Sequence, residues 1–105
     1  MLYQLRDWHN AAAYSEKLAD LSTNQNRYLF VAAHCHKKLR NFLKSIALSD
    51  RIRLREPGNI QNLLNLVECH LAVREKLRAT ELLEEIFFID ANNERAQKLS
   101  RLIAA

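Results

Sequence analysis

Small and apolar residues recur along this chain at the spacing of α-helices. The clearest case lies in residues 27–39, where the spacing i, i+3, i+4 and i+7 puts four side chains on one helix face: Leu29, Ala32, Ala33 and His36. The only glycine and the only proline are adjacent, at Gly58 and Pro57. A sheet protein needs turn residues every ~8–12 positions, so the pattern predicts helices joined by short connections.

The predicted helix ends depend on a few asparagines and on Pro57. Asn41 and Asn59 each stand where an N-cap is expected, and Pro57 stops the helix between them. Asn92 or Asn93, followed by Glu94, starts the last helix. The predicted helices span residues 27–39, 42–55, 60–73 and 77–89, with a final one ending near 104.

The sequence also repeats itself at an offset of 34 residues. The aligned pairs are Leu29 with Leu63, Cys35 with Cys69, His36 with His70, Trp8 with Phe42, Pro57 with Ala91 and Asn59 with Asn93. Two columns have three members: Ala11, Ser45 and Ala79, and then Leu18, Ile52 and Ile86. A fixed period of this length is typical of stacked helical hairpins, in which neighbouring units bury one another's apolar faces.

These units resemble the tetratricopeptide repeat, whose pattern runs W-x2-L-G-x2-Y, then A-x3-F, then P. The second unit reads Leu29-x2-Ala32-Ala33-x2-His36, then Ser45-x3-Ser49, then Pro57. The third reads Leu63-x2-Leu66-Val67-x2-His70, then Ala79-x3-Leu83, then Ala91. The first keeps Trp8, Ala11-x3-Ser15 and Leu18. The chain departs from the pattern where Ala33 and Val67 replace its glycine, His36 and His70 replace its tyrosine, and Ser49 replaces an aromatic residue.

The resemblance implies an all-α fold of stacked antiparallel helical hairpins, wound into a right-handed superhelix and closed by a capping helix. We expect one domain over residues 1–105. Its expected parts are a partial repeat in 1–25, full repeats in 26–59 and 60–93, and a capping helix in 94–105.

In this family, the first helix of each unit lines the concave face of the superhelix. Carried over to this sequence, the partner-binding positions are Arg27, Phe30, His34, Lys37, Gln61, Leu64, Asn65, Glu68 and Leu71. Their mixture of apolar and charged side chains suits an amphipathic helix or an extended apolar segment of a partner protein. This mixture does not suit the carboxylate-clamp subtype of the family, which binds a partner's C-terminal tail through several lysines and asparagines.

The distribution of charge and the lack of a targeting segment in this sequence narrow the class of protein. The formal net charge is +4, and seven cations crowd one stretch: Lys37, Lys38, Arg40, Lys44, Arg51, Arg53 and Arg55. A solvated helix face is the favoured interpretation of this stretch, and a nucleic-acid site over residues 37–55 is the alternative. Charged residues interrupt the N-terminal segment, and no apolar run is long enough to span a membrane, which predicts a cytoplasmic protein with reduced thiols.

The residues predict no catalytic chemistry. No glycine-rich phosphate loop or nucleophile elbow is present, so we expect no enzyme and no cofactor. The cluster His34, Cys35, His36, Cys69 and His70 contains zinc-ligand residue types, but its register favours packing, with the cysteines in a small buried column and His36 and His70 in the column of the aromatic residue. No metal site is therefore predicted.

The resemblance and the chain's length together lead to the expected function. We expect a protein-binding module that acts as a short chaperone or co-chaperone of type III secretion and covers an apolar helix of a needle or translocator subunit. The alternatives are a fragment of a larger tetratricopeptide-repeat scaffold and a basic helical module that binds nucleic acid. Residues 1–25 are expected to expose an apolar end that contacts a small helical co-chaperone or a second copy.

Overall fold

The computed structural model describes residues 5–105, with side chains from residue 7 onward. Within this part of the chain there are six helices and no strand: α1 (Leu5–Leu21), α2 (Gln25–Lys38), α3 (Phe42–Arg55), α4 (Ile60–Ala72), α5 (Lys76–Ile89) and α6 (Glu94–Ala104). The predicted all-α, helical-repeat-like fold is confirmed. The first four residues of the expected partial repeat lie outside the described residues.

The helices pack in the order of the chain. Each helix contacts the next one, and α2, α4 and α6 also contact one another in sequence. No such contacts join α1, α3 and α5 among the described residues. We therefore distinguish an inner layer (α2, α4, α6) from an outer layer (α1, α3, α5), the inner helices being closer together.

The connections α2–α3 and α4–α5 repeat at the 34-residue offset. Arg40 and Arg74 both adopt the left-handed conformation, with φ of 62° and 64°. One residue further on, Asn41 N–H donates to His36 O and Glu75 N–H donates to His70 O, each at 2.8 Å. This is the Schellman end of a helix, which satisfies carbonyl groups that the helix itself leaves unpaired.

The connections α3–α4 and α5–α6 repeat at the same offset. The side chains of Asn59 and Asn93 accept N–H bonds from Asn62 (3.1 Å) and Ala96 (2.9 Å). Asn59 is therefore an N-cap as predicted, and Asn93 is the N-cap of α6 out of the two predicted candidates, Asn92 and Asn93. Asn41 holds the N-cap position of α3, but its side chain makes no capping hydrogen bond.

Two apolar clusters form the core. Buried side chains of α4, α5 and α6 make the first: Leu63, Leu66, Val67, Ala79, Leu82, Leu83, Ile86, Ala96 and Leu99. The second joins α1, α2 and α3: Ala19, Leu29, Ala32, Ala33, Leu48 and Ile52.

Helix α6 carries polar residues at the positions where α4 is apolar. Leu63, Leu66 and Val67 of α4 are buried in the cluster with α5. Their counterparts on α6, 34 residues later, are Gln97, Ser100 and Arg101. A helix with these side chains gains little from covering by a further helix, as expected of a cap.

A candidate partner-binding groove

A pocket of about 300 Å³ opens between the inner helices α2, α4 and α6. We call it the groove. Its lining residues are Phe30, His34, Lys37, Gln61, Leu64, Asn65, Glu68 and Arg95. Seven of these are among the nine partner-binding positions that the resemblance implies, and the structure brings these seven together from two different helices.

The other two predicted positions lie elsewhere. Arg27 borders a neighbouring pocket that shares Phe30 and Gln61 with the groove, so it extends the same surface toward the start of α2. Leu71 is partly buried and packs against the core cluster of α4, α5 and α6. Arg95 was not among the predicted positions, because the sequence suggested only a solvating role for α6.

The apolar floor of the groove consists of Phe30 and Leu64. Phe30 is half-buried against the cluster of α1, α2 and α3, and Leu64 against the cluster of α4, α5 and α6. One side of Phe30 and one side of Leu64 therefore pack on different core clusters, while both residues also line the groove. A floor supported in this way is largely pre-formed, which lowers the entropic cost of binding.

Glu68 links the three inner helices at the rim of the groove. One carboxylate oxygen lies 3.3 Å from Lys37 Nζ on α2, and the other lies 3.0 Å from Arg95 Nη2 on α6. Partial burial by itself would raise the pKa of the Glu68 carboxyl, but the hydrogen bond from Arg95 and the charge of Lys37 outweigh it. Its pKa therefore lies below the ordinary value, and Glu68 is ionised at neutral pH.

His34 adds a neutral aromatic group beside this rim. Burial lowers the pKa of the imidazole, and the charges of Lys37 and Lys38 lower it further against the opposing effect of Glu68. The ring stands edge-on to Trp8 of α1, with centroids 6.0 Å apart and planes at 70°. At neutral pH, His34 therefore presents an uncharged ring to the groove.

Asn65 has a structural role that the sequence did not reveal. The side chain is only 3% exposed, and its Nδ2 donates to Ser45 Oγ (3.1 Å) and Ser49 Oγ (2.9 Å) of α3. Its Oδ1 is buried, with no hydrogen-bond partner among the described residues. Asn65 thus borders the groove while joining α4 to the outer layer, so its substitution would disturb the packing of α4 on α3.

The cysteines and histidines that resemble a zinc site face different neighbours. Cys35 and Cys69 are free and buried, and burial raises the pKa of both thiols. His36 Nε2 lies 3.3 Å from Glu16 Oε2, and His70 Nδ1 lies 3.1 Å from Glu75 Oε1. Among the described residues, no group of three or more His, Cys, Asp or Glu side chains is placed to hold a metal ion.

The basic stretch 37–55 is partly neutralised by acidic residues. Lys37 pairs with Glu68, Lys44 with Glu16 at 3.3 Å, and Arg53 with Glu85. Arg40 lies over the ring of Phe42, 5.5 Å from its centroid. Fewer cations are left for phosphate groups than the sequence count suggests, which weakens the nucleic-acid alternative.

No protein-family model matches the chain, and a search of curated proteins gives no match. None of the described helices combines the length and apolar character that crossing a membrane would take. The functional interpretation therefore depends on the groove and on the repeated backbone geometry.

Proposed function

We propose that this protein is a binding module of the tetratricopeptide-repeat type, which holds a helical or extended segment of another protein in its groove. The observation that carries the proposal is the groove itself. Positions that the resemblance assigns to partner contact converge from α2 and α4 on one concavity, with an apolar floor and a charged rim.

The chemistry of the groove favours a polypeptide partner with both apolar and charged side chains. Phe30 and Leu64 offer apolar area to a bulky side chain of the partner, whose burial contributes about 25 cal/mol per Å². Lys37, Glu68 and Arg95 provide both signs of charge at the rim, where they can select the register of a bound segment. This combination is the one used when an amphipathic helix binds in a groove.

A site-specific photo-crosslinking experiment in the native host tests this proposal. Benzoylphenylalanine replaces Phe30 in one variant and Leu43, which is 71% exposed on the outer helix α3, in the matched control. Crosslinked polypeptides are then identified by mass spectrometry. The proposal expects a partner that crosslinks from position 30 and not from position 43. Crosslinks only from position 43, or from neither position, would contradict it.

The narrower expectation of a type III secretion chaperone or co-chaperone stays a prediction, as does the cytoplasmic location. A chaperone of this kind and a scaffold fragment would use the same groove. Co-expression with neighbouring genes separates them, because a chaperone should co-purify with an otherwise self-assembling client. Purification as a lone stable monomer that captures none of those products would remove the chaperone prediction.

A further inference from the structure

The groove continues along α2 into two further pockets. The first, of about 310 Å³, shares Phe30 and Gln61 with the groove, and the second, of about 350 Å³, shares Arg27 and Glu56 with the first. The three pockets form one continuous surface from the start of α2 to its end, and we call it the inner surface. A partner segment longer than the groove can therefore keep contact along the whole of α2.

Each end of the inner surface carries two cations and one carboxylate. The three charged residues at the start of α2 are Arg27, Arg55 and Glu56, and the three at its end are Lys37, Arg95 and Glu68. No other Asp, Glu, Lys or Arg of the described residues lines these three pockets. Both ends therefore have an excess of positive charge.

The two carboxylates of the inner surface already have hydrogen-bond donors. Glu68 accepts from Lys37 and from Arg95, and Glu56 accepts from Asn59 Nδ2 at 2.9 Å. A basic group of a partner would have to compete with these bonds. Charge therefore favours an acidic partner over a basic one.

The arginines of the inner surface keep donors for such a partner. Arg27 and Arg55 are exposed and form no ion pair with any described residue. Arg95 is 51% exposed and bonds Glu68 through Nη2, although a guanidinium group has five N–H donors. A guanidinium group binds a carboxylate through two parallel hydrogen bonds, so carboxylates are the anions that these three side chains suit.

The middle of the inner surface is apolar, and its length sets the spacing of the partner's charges. Phe30 and Leu64 lie between the two charged ends. Arg27 and Lys37 stand ten residues apart on α2, which is about 15 Å along the helix axis. An extended segment covers this distance in about four or five residues and a helix in about ten.

A nucleic acid fits this surface less well than a polypeptide does. A single strand carries a charge at every nucleotide, including those opposite the apolar middle, where Phe30 and Leu64 offer no partner to a phosphate. The pKa values of Glu56 and Glu68 lie below the ordinary value, so both are ionised at neutral pH and repel a continuous row of phosphates. A polypeptide can place its charges at the two ends only.

We infer that the partner segment is acidic, an inference that rests on the proposed function and names the chemistry of its partner. The segment carries Asp or Glu side chains on both sides of a bulky apolar residue. That residue packs on Phe30 and Leu64, and the carboxylates bind the arginines at the two ends of the inner surface, which are Arg27, Arg55 and Arg95. The formal net charge of +4 favours the approach of such a segment.

A phage library that displays random peptides, long enough to span the inner surface as helices, tests this inference on the immobilised full chain. The same library is selected on two double variants of equal net charge. Arg55→Gln with Arg95→Gln removes one cation from each end of the inner surface. The matched control, Arg51→Gln with Arg101→Gln, removes exposed cations of the same two helices that line none of the three pockets. Circular dichroism checks that both variants are folded.

We expect the native chain and the control variant to enrich peptides with Asp or Glu on both sides of a bulky apolar residue. A synthetic peptide of the enriched sequence, measured by fluorescence anisotropy, should bind the Arg55→Gln, Arg95→Gln variant about five- to tenfold more weakly than the control variant. A version of the peptide with Gln in place of its acidic residues should bind more weakly and should not distinguish the two variants, because the loss belongs to these charge pairs.

Four results would overturn the inference. They are no enrichment of any peptide, enrichment without an excess of acidic residues, binding that the Arg55→Gln, Arg95→Gln variant leaves unchanged, and displacement of the selected peptide by an equal concentration of oligothymidylate. The last result would make the occupant a nucleic acid. The photo-crosslinking experiment at position 30 separates this inference from the proposed function: a crosslinked partner segment without acidic residues contradicts only the inference, whereas the absence of any crosslink contradicts the proposed function.

Discussion

The joint between α3 and α4 and the joint between α5 and α6 occupy equivalent places in the repeat, yet the first is polar and the second is apolar. Four pairs of buried residues, 34 positions apart, show the difference: Ser45 and Ala79, Ser49 and Leu83, Asn62 and Ala96, Asn65 and Leu99. One helix arrangement therefore accepts two kinds of contact.

The polar joint is held by directional hydrogen bonds. Besides the two bonds from Asn65, Asn62 Nδ2 donates to Ser49 O at 2.9 Å, and Ser45 Oγ donates to Ala33 O of α2 at 2.7 Å. Each such bond contributes about 0.5–1.5 kcal/mol net, so the joint gains modest stability but a defined register. The apolar joint lacks this directionality and depends on buried area.

The largest expected effect is on Leu99 in the apolar joint. Leu99→Asn removes a buried leucine and leaves a buried amide without partners, which together should lower the free energy of unfolding by about 3 kcal/mol or more. Urea denaturation measures the change. Leu102→Asn on the same helix is the control, since Leu102 is 67% exposed and its loss should cost at most about 0.5 kcal/mol. Equal losses of unfolding free energy from the two variants would mean that Leu99 is not buried between α5 and α6.

A smaller loss is expected from Asn65→Leu in the polar joint. The two serine hydroxyls lose their donor, and the free energy of unfolding should fall by about 1–3 kcal/mol in the same urea experiment.

The companion variant moves the whole apolar set into the polar joint, with Ser45→Ala, Ser49→Leu, Asn62→Ala and Asn65→Leu. Because the four interacting polar side chains are then replaced together and the two backbone carbonyls that remain belong to helices, it should recover most of the stability that the single change loses. If the fourfold variant is less stable than Asn65→Leu alone, the two joints are not interchangeable in shape.

The sequence predicted the parts of this comparison that depend on local or periodic signals. The helices followed from apolar spacing, and the cap at Asn59 followed from the residue type and its position, whereas Asn92 and Asn93 stayed alternatives for the cap of α6. It did not predict the left-handed ends at Arg40 and Arg74, because the usual signal for such an end is glycine.

The polar joint was not predicted because its partners are distant in the chain. Asn65 bonds to serines 16 and 20 residues away, and no spacing rule connects them. The sequence therefore offered Asn65 as a partner-contact position and did not identify the serines that it bonds. The resemblance implied the α2 and α4 positions that line the groove, whereas Arg95 comes from α6, which departs from the repeat pattern.

Glu68 provides a pH-dependent link between the inner helices of the two joints, since it joins α4 to α2 and to α6. Its pKa is lower in the folded protein than in the unfolded chain, so its contribution is fully present above the unfolded pKa of about 4.3 and disappears as the pH falls through the folded value. Because the pair is partly exposed, the contribution should be at most about 1 kcal/mol. Urea denaturation at several pH values should show Glu68→Gln flattening the acid side of the stability profile. An unchanged slope would show that the ion pairs add no stability.

The smallest expected effects distinguish the two left-handed helix ends. A non-glycine residue in this conformation costs about 1–2 kcal/mol, and glycine there costs about 0.5–1 kcal/mol in unfolded-state entropy, so Arg74→Gly should stabilise the protein by about 0.5 kcal/mol. Arg40→Gly has the same backbone benefit but loses the contact with the Phe42 ring, worth about 0.5–1 kcal/mol, and should be close to neutral.

Thermal unfolding of the two variants and of Arg40→Gly in a Phe42→Leu background measures the difference. In that background, the gain at position 40 should rise to the level seen at position 74. If it does not, the two ends differ in backbone strain and not in the ring contact.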